Sequence, residues 1–302
     1  MQYKQNNWIM LVVAITLWAG GMFAQETGMA FLKIGIDARA MAMGNAYTAA
    51  ATGASALYWN PAGLVTEPAL GVLVHHNQWL FGSSSEFVGL AKSNGQSGWG
   101  MFAQTFFVDG IEVRDVASRE PLAETNALFM AIGGGYARKL SHKLVLGGTL
   151  KYLFQKIYVE QAGGWALDVG IRYRWKTNWY LAGALQNAGK MAVLNARATP
   201  LPTALRLGVE WSKQAENASW HLKITGDLVK FRGEDVGMAF GGEIQLWQQL
   251  AFRGGMLLGV AERSWSVGLG IEKTRFRFHY ALVPFTANLG VTHQITFQIQ
   301  LD

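Results

Sequence analysis

The residue types able to do chemistry are few and scattered in this chain. There is no Cys, which excludes thiolate nucleophiles, disulfides and thiolate metal sites. No Gly-x-Ser-x-Gly elbow, His-Glu-x-x-His helix or phosphate-cradling Gly-rich loop occurs, so the common hydrolase, metalloprotease and nucleotide signatures are missing. His75 and His76 are adjacent, and in an extended strand they face opposite ways and cannot hold one metal together. His142, His221, His279 and His293 stand alone. The chain reads as a non-enzyme, with no catalytic residue, no metal site and no cofactor.

The charged residues carry more information. Arg172, Arg174, Arg206, Lys223, Asp227, Glu243, Arg253, Arg275 and Arg277 fall on the polar side of alternating stretches. One reading is a barrel interior that pairs its own charges. The other is a partly basic lumen that attracts an anionic headgroup, with Arg206, Lys223 and Arg253 as candidate ligand contacts. The stretch VDGIEVRDVASREPLAE, residues 108–124, is the most charged in the chain and reads as a long exterior loop. The net charge of +6 is spread without a Lys/Arg run, which argues against nucleic acid as a partner.

A second feature is Asn60-Pro61-Ala62-Gly63. It closes a small-residue-rich stretch, Phe31–Leu64, that is nearly free of charge after Arg39. Asn-Pro followed by Gly is ordinary turn chemistry. Its setting is not ordinary, because an Ala/Gly-rich segment lets backbone pack closely in a confined space.

Strands must position these residues. Downstream of about Ala69, fourteen stretches alternate with period two: 69–80, 84–93, 97–107, 125–139, 142–155, 164–175, 178–186, 203–212, 218–229, 237–247, 249–258, 264–272, 275–284 and 290–301. In the last, Val291, His293, Ile295, Phe297, Ile299 and Leu301 oppose Thr292, Gln294, Thr296, Gln298 and Gln300. Sandwich strands average about 5–6 residues, whereas a tilted membrane-crossing strand needs about 9–11. The stretches here have the second length. In lipid every edge N–H and C=O must be paired, so such a sheet has to close. Connections such as 94–96, 140–141, 176–177 and 273–274 are short, while 108–124 and 187–202 are long, the asymmetry of an outer-membrane barrel. Trp79, Trp99, Trp165, Trp175, Trp179, Trp211, Trp220, Trp247 and Trp265 fall near strand ends, where interfacial girdles lie.

The N-terminus has Lys4, an apolar run from Trp8 to Ala19, and small residues up to Ala24. The run is too short to span a bilayer, which takes roughly 20 residues, and it fits a secretory signal peptide cleaved after Ala24. The expected organisation is a signal peptide at 1–24, a plug segment at 25–68 and a barrel at 69–302. The fold class is all-β: a transmembrane outer-membrane β-barrel of about 14 antiparallel strands with an N-terminal plug in its lumen.

The run FLKIGIDARAMAMGNAYTAA followed by SALYWNPAGL resembles the N-terminal signature of PorV/PorQ-type outer-membrane proteins, within the FadL-like superfamily. GGWALDVGIRYRW, LAGALQNAGK, LPTALRLGVEW and LGVTHQITFQIQL extend the likeness over nearly the whole mature chain. The chain departs from the pattern at Thr52-Gly53, where the family often has acidic residues. The resemblance implies a hatch inside the barrel whose motif maps here to Arg39, Gly44, Asn60, Pro61, Ala62 and Gly63. It also implies a place in the outer membrane of a Gram-negative-type bacterium, in contact with outer-membrane lipid. Two functions follow from it. The first is a PorV/PorQ-like component of a type IX-like secretion or surface-attachment pathway, with the translocon and exported cargo proteins as partners. The alternative is a FadL-like transporter of hydrophobic small molecules such as long-chain fatty acids.

Overall fold

The computed structural model describes residues 27–67, 69–114, 120–194, 197–198, 200–259 and 263–301. The signal peptide expected at 1–24 lies outside them. The strands are β1 Leu70–Gln78, β2 Ser84–Ser93, β3 Ser97–Val113, β4 Ala123–Lys139, β5 Leu144–Ile157, β6 Glu160–Lys176, β7 Trp179–Met191, β8 Val193–Leu194, β9 Arg197–Ala198, β10 Ala204–Gln214, β11 Trp220–Phe231, β12 Val236–Leu246, β13 Leu250–Leu258, β14 Trp265–Lys273, β15 Phe276–Phe285 and β16 Gly290–Leu301. All but β8 and β9 form one closed barrel of antiparallel neighbours, and β8 with β9 makes a separate two-stranded hairpin. Closure is made by β1 and β16, with Leu70 opposite Leu301 and Gln78 opposite His293.

The wall is inside out relative to a soluble protein. On β16, Thr292, Gln294 and Thr296 are buried while Val291, Ile295 and Phe297 are exposed. On β6, Ala166 and Asp168 point inward, and Trp165, Leu167, Val169 and Ile171 point out. A sandwich would bury its apolar set. An apolar outer face around a closed sheet is what a lipid-facing wall requires. Trp99, Trp165, Trp175, Trp179, Trp247 and Trp265 are exposed at or near strand ends, as an interfacial girdle requires. Among the described residues no helix is long and apolar enough to cross a membrane.

Two expectations are corrected. The long loop at 108–124 is shorter than expected, because β3 and β4 continue to pair past Val108, with Ile111 opposite Thr125 and Val113 opposite Ala123. Likewise β5, β6 and β7 reach Ile157, Glu160 and Met191. The asymmetry between rims therefore resides largely in strand height: β3, β4 and β6 have 17 residues each against 9 in β1. Pairing continues because a hairpin ribbon keeps satisfying its own backbone above the lipid. The second correction concerns Arg174 and Arg275, which were placed on the inner face by parity. Both are exposed at the short-turn rim, and Arg174 donates to the carbonyl of His142. Parity sets the side of the sheet, but at a rim that side is not enclosed.

The core lies within the barrel. Residues 30–65 fold as short helical turns, Ala30–Lys33, Ala38–Ala42, Gly53–Ser55, Ala56–Trp59 and Pro61–Val65. Turns of this length do not persist alone in water. They persist here because the wall surrounds them: Met29, Ile36, Met41, Met43, Tyr47, Leu57, Trp59 and Leu64 are all essentially fully buried.

Candidate functional site

The candidate site is the seat of this enclosed segment. Asn60 is its central residue. Its backbone is extended, and its side chain caps the Pro61–Val65 turn, Oδ1 accepting from Ala62 N at 3.1 Å. Its Nδ2 donates to Thr48 O at 3.0 Å and to Ile171 O of β6 at 3.2 Å. One carboxamide thus ties a turn, a neighbouring loop and the wall. Pro61 suits the first helical position, where its missing N–H costs nothing. Around it, Trp59 Nε1 donates to Ile36 O and Tyr58 Oη to Leu32 O, each at 2.9 Å. Gln186 of β7 donates to the carbonyls of Tyr58 and Trp59 at 2.5 and 3.1 Å.

The wall meets this backbone through glycines. A Cβ on Gly170 would lie 2.0 Å from Asn60 Oδ1, and one on Gly147 2.6 Å from the carbonyl carbon of Pro61. Gly98 faces Leu64 O at 2.4 Å, Gly255 faces Gly44 N at 2.1 Å, and Gly268 faces Ala42 Cβ at 2.5 Å. These inward positions on β3, β5, β6, β13 and β14 form a cradle that only a residue without Cβ permits. The motif glycines of the segment have matching reasons. Gly44 has φ 64° and a site that would press a Cβ to 2.8 Å from Met256 N; Gly63 sits 2.2 Å from Ala51 O by the same measure. Sequence reasoning missed the wall glycines, although glycines at inward parity were a readable signal.

The inward charges mostly hold the segment in place. Arg39 makes a bidentate pair with Glu243 at 2.7 and 2.5 Å. Glu243 also accepts from Arg253 Nε at 2.5 Å, and Arg253 reaches Glu272 at 3.8 Å. Arg277 follows, 3.5 Å from Glu272 and 2.9 Å from Glu67, which belongs to the tail of the segment. This ladder alternates in sign from Arg39 through β12, β13, β14 and β15 and returns to the segment. Asp227 accepts from Tyr47 N, Thr48 N and Thr48 Oγ1 at 3.0, 2.9 and 2.6 Å. Arg172 donates to Ala49 O at 2.9 Å, and Glu210 sits 3.4 Å from Arg172 and 3.7 Å from Lys223. A further buried pair, Lys151 with Asp168 at 2.8 Å, was not singled out from the sequence.

Arg206 is different. It is 3% exposed, and its Nε donates to Gln186 Oε1 at 2.8 Å. Its guanidinium lies 5.0 Å from the Trp59 ring and 5.7 Å from the Phe231 ring. Among the described ion pairs Arg206 has no carboxylate, whereas Lys223 and Arg253 do. Of the three candidate ligand contacts, Arg206 alone keeps a guanidinium nitrogen, NH1, with neither hydrogen-bond nor ion-pair partner.

Burial pushes the Asp37 carboxyl up to about 6, against the opposing pull of Arg39 N–H and the charges of Arg39 and Arg253, with Glu67 adding to the rise. A group whose folded pKa is raised binds more protons when seated, so stability falls as pH rises through the window from about 4 to about 6. Protection factors of the amides of residues 31–64, which remove the intrinsic pH dependence of exchange, are therefore expected to be higher at pH 4.5 than at pH 7.5. Asp37→Asn should flatten that difference, and an unchanged pH profile in the variant would refute the assignment.

Comparison with known proteins sharpens the fold. Residues 19–133 match the model of an uncharacterised protein family, UPF0164. No curated protein matches the chain. The CymD monoaromatic hydrocarbon channel superposes with a TM-score of 0.59 at 12% identity, over 91% of this chain and 98% of that one. A FadL homologue from Pseudomonas aeruginosa gives 0.55 at 12% identity, over 93% and 99%. The Pseudomonas putida toluene transporter TodX gives 0.52 at 13% identity, over 93% and 99%. The fold is that of the FadL-type outer-membrane barrels. These neighbours are transport channels, not enzymes, and they lend no support to the secretion role expected from the PorV/PorQ resemblance.

Proposed function

We propose that this chain is an outer-membrane channel for small hydrophobic molecules, with residues 25–68 as its hatch and Arg39, Gly44, Asn60, Pro61, Ala62 and Gly63 as the hatch's anchor points. The observation that carries this reading is Arg206, a buried cation without a carboxylate partner between two aromatic rings. Asp227 offsets the charge at longer range without a contact, and a buried guanidinium nitrogen left without a hydrogen bond is costly unless a ligand completes it. Nearby, Met29, Phe31, Leu32, Met191 and Leu201 are buried in one apolar cluster with Phe106 and Phe129 packed against it. A ligand with an apolar body and an anionic or electron-rich head matches that pairing. The CymD monoaromatic hydrocarbon channel and the TodX toluene transporter take small hydrophobic molecules.

The test is binding of a long-chain fatty acid to the purified barrel. Arg206→Leu is expected to weaken oleate binding about tenfold or more, the loss of one charge-assisted contact. Binding of neutral toluene should change little. Equal oleate affinity in the variant would remove Arg206 from the site. Deleting residues 31–64 should leave a barrel that inserts and still migrates heat-modifiably, yet leaks small solutes. A deleted barrel as tight as the parent would sink the hatch.

A further inference from the structure

The seat is uneven around the barrel. Five adjacent inward side chains in one quadrant, His75 and Asn77 on β1, Ser85 on β2, Gln104 on β3 and Gln294 on β16, are at most 1% exposed. Yet His75 Nε2, both amide atoms of Asn77, Ser85 Oγ, Gln104 Nε2 and both amide atoms of Gln294 lack a hydrogen-bond partner. Register makes them one patch. Asn77 lies directly between Gln294 and Ser85, and His75 lies one row below, opposite Phe87, whose other neighbour is Gln104. Thr296 Oγ1 accepts from Ala38 N at 2.7 Å and lies 2.8 Å from His75 Nδ1.

Among the other described lumenal residues, buried polar atoms without a hydrogen-bond partner occur singly or in twos, such as Thr149 Oγ1 opposite Asp168 Oδ2, and the ladder and glycine cradle bind the segment closely. Here the segment presents small residues, Ala38 against Thr296 and Ala54 against Gly89. One row further along the same strands, Leu73 and Gln298 line a small open cleft at the short-turn rim, shared with Gly53, Glu67, Ala91 and Gln300. Each unpartnered buried polar atom forfeits a hydrogen bond it would make in water. Seven in one patch, one row from a cleft, call for polar partners that neither the segment nor the wall supplies.

We propose that the β16–β1–β2–β3 quadrant is a hydrophilic seam between hatch and wall, admitting water and small neutral hydrogen-bonding solutes. It lies across the barrel from Arg206, which is on β10. Neutrality follows from the lining: Asn77, Ser85, Gln104 and Gln294 carry no formal charge, none of the described ion pairs reaches His75, and together the five offer both donors and acceptors. The seam rests on the hatch reading, since without a seated segment the lumen would admit solutes everywhere.

Isotonic swelling of proteoliposomes holding the full barrel tests it, with glycerol and sucrose as probes. Glycerol is expected to enter and sucrose to be excluded. Asn77→Leu with Gln294→Leu should cut glycerol entry several-fold while Lys156→Gln, an exposed change, leaves it alone. Ser85→Ala with Gln104→Leu is a second pair, on other strands, in case the first does not assemble. Heat-modifiable migration verifies assembly of each. Glycerol entry no faster than in protein-free vesicles, or unchanged in an assembled pair, overturns the seam alone. Sucrose entering as fast as glycerol overturns the hatch itself.

Discussion

Glu243→Gln is expected to release the enclosed segment while leaving the barrel assembled. Glu243 is 2% exposed and is the common partner of Arg39 from the segment and Arg253 from the wall. Gln has nearly the same shape but no charge, so two guanidinium groups would face each other across a neutral amide. Removing one partner of a buried pair costs about 3–5 kcal/mol, because the charge left behind is uncompensated. Here the relief open to the protein is for Arg39 to leave, since Arg253 still has Glu272 and His279 on the wall. Amide exchange of residues 31–64 should accelerate by about two to four orders of magnitude, the same energy expressed as an opening equilibrium. Sucrose permeability should rise with it. Arg39→Gln made in the Glu243→Gln background should recover part of the protection, because it removes the stranded charge. Unchanged exchange in Glu243→Gln would mean that the ladder does not hold the segment.

Gly170→Val should have an effect of similar size by a different route. Valine favours strands, and at an outward position it would be harmless or helpful. At Gly170 its Cβ would fall 2.0 Å from Asn60 Oδ1 and 2.9 Å from Pro61 Cδ. The wall cannot retreat without breaking its ladder, so the Asn-Pro turn must move. Moving it breaks the hydrogen bonds from Asn60 to Thr48 O and Ile171 O and the cap on Ala62 N. Overpacking costs about 1–3 kcal/mol and each lost hydrogen bond about 1 kcal/mol, which together approach the whole stability margin of a small docked segment. The comparison is Gly242→Val or Gly254→Val, where an added Cβ meets nothing within 4 Å. Those variants should keep parental exchange and permeability, while Gly170→Val should exchange rapidly across 52–65 and leak. Leakage by all three alike would show that glycine content, not the cradle, matters.

The parts of this molecule that could be read in advance are those set by one residue against its medium. Ile295 prefers lipid and Thr296 does not, so period-two alternation orients β16 without knowledge of any partner. The same rule over the other stretches yields fourteen strands, and the requirement to pair every edge closes them. The small-residue character of Phe31–Leu64 and its terminal Asn-Pro-Ala-Gly were equally visible, because composition and turn chemistry are local. Inward placement of Arg206, Lys223, Asp227, Glu243 and Arg253 followed from parity and stands.

What each of these does once inside was decided by contacts between residues far apart in the chain. Arg39 and Glu243 are 204 positions apart, and nothing in either neighbourhood announces the pair. Gly170 and Gly242 are the same residue in the same kind of strand, yet one supports a turn and the other faces open space. Arg174 and Arg275 share the inward parity of Arg172 and Arg277 yet are exposed, because they sit at the short-turn rim. The sequence by itself determined a closed wall and which side chains line it, since those depend on single-residue solvation. Only the tertiary structure decided that Asn60 is pinned to β6, that most lumenal charges are spent on holding the segment, and that Arg206 is left over, because those facts are properties of pairs.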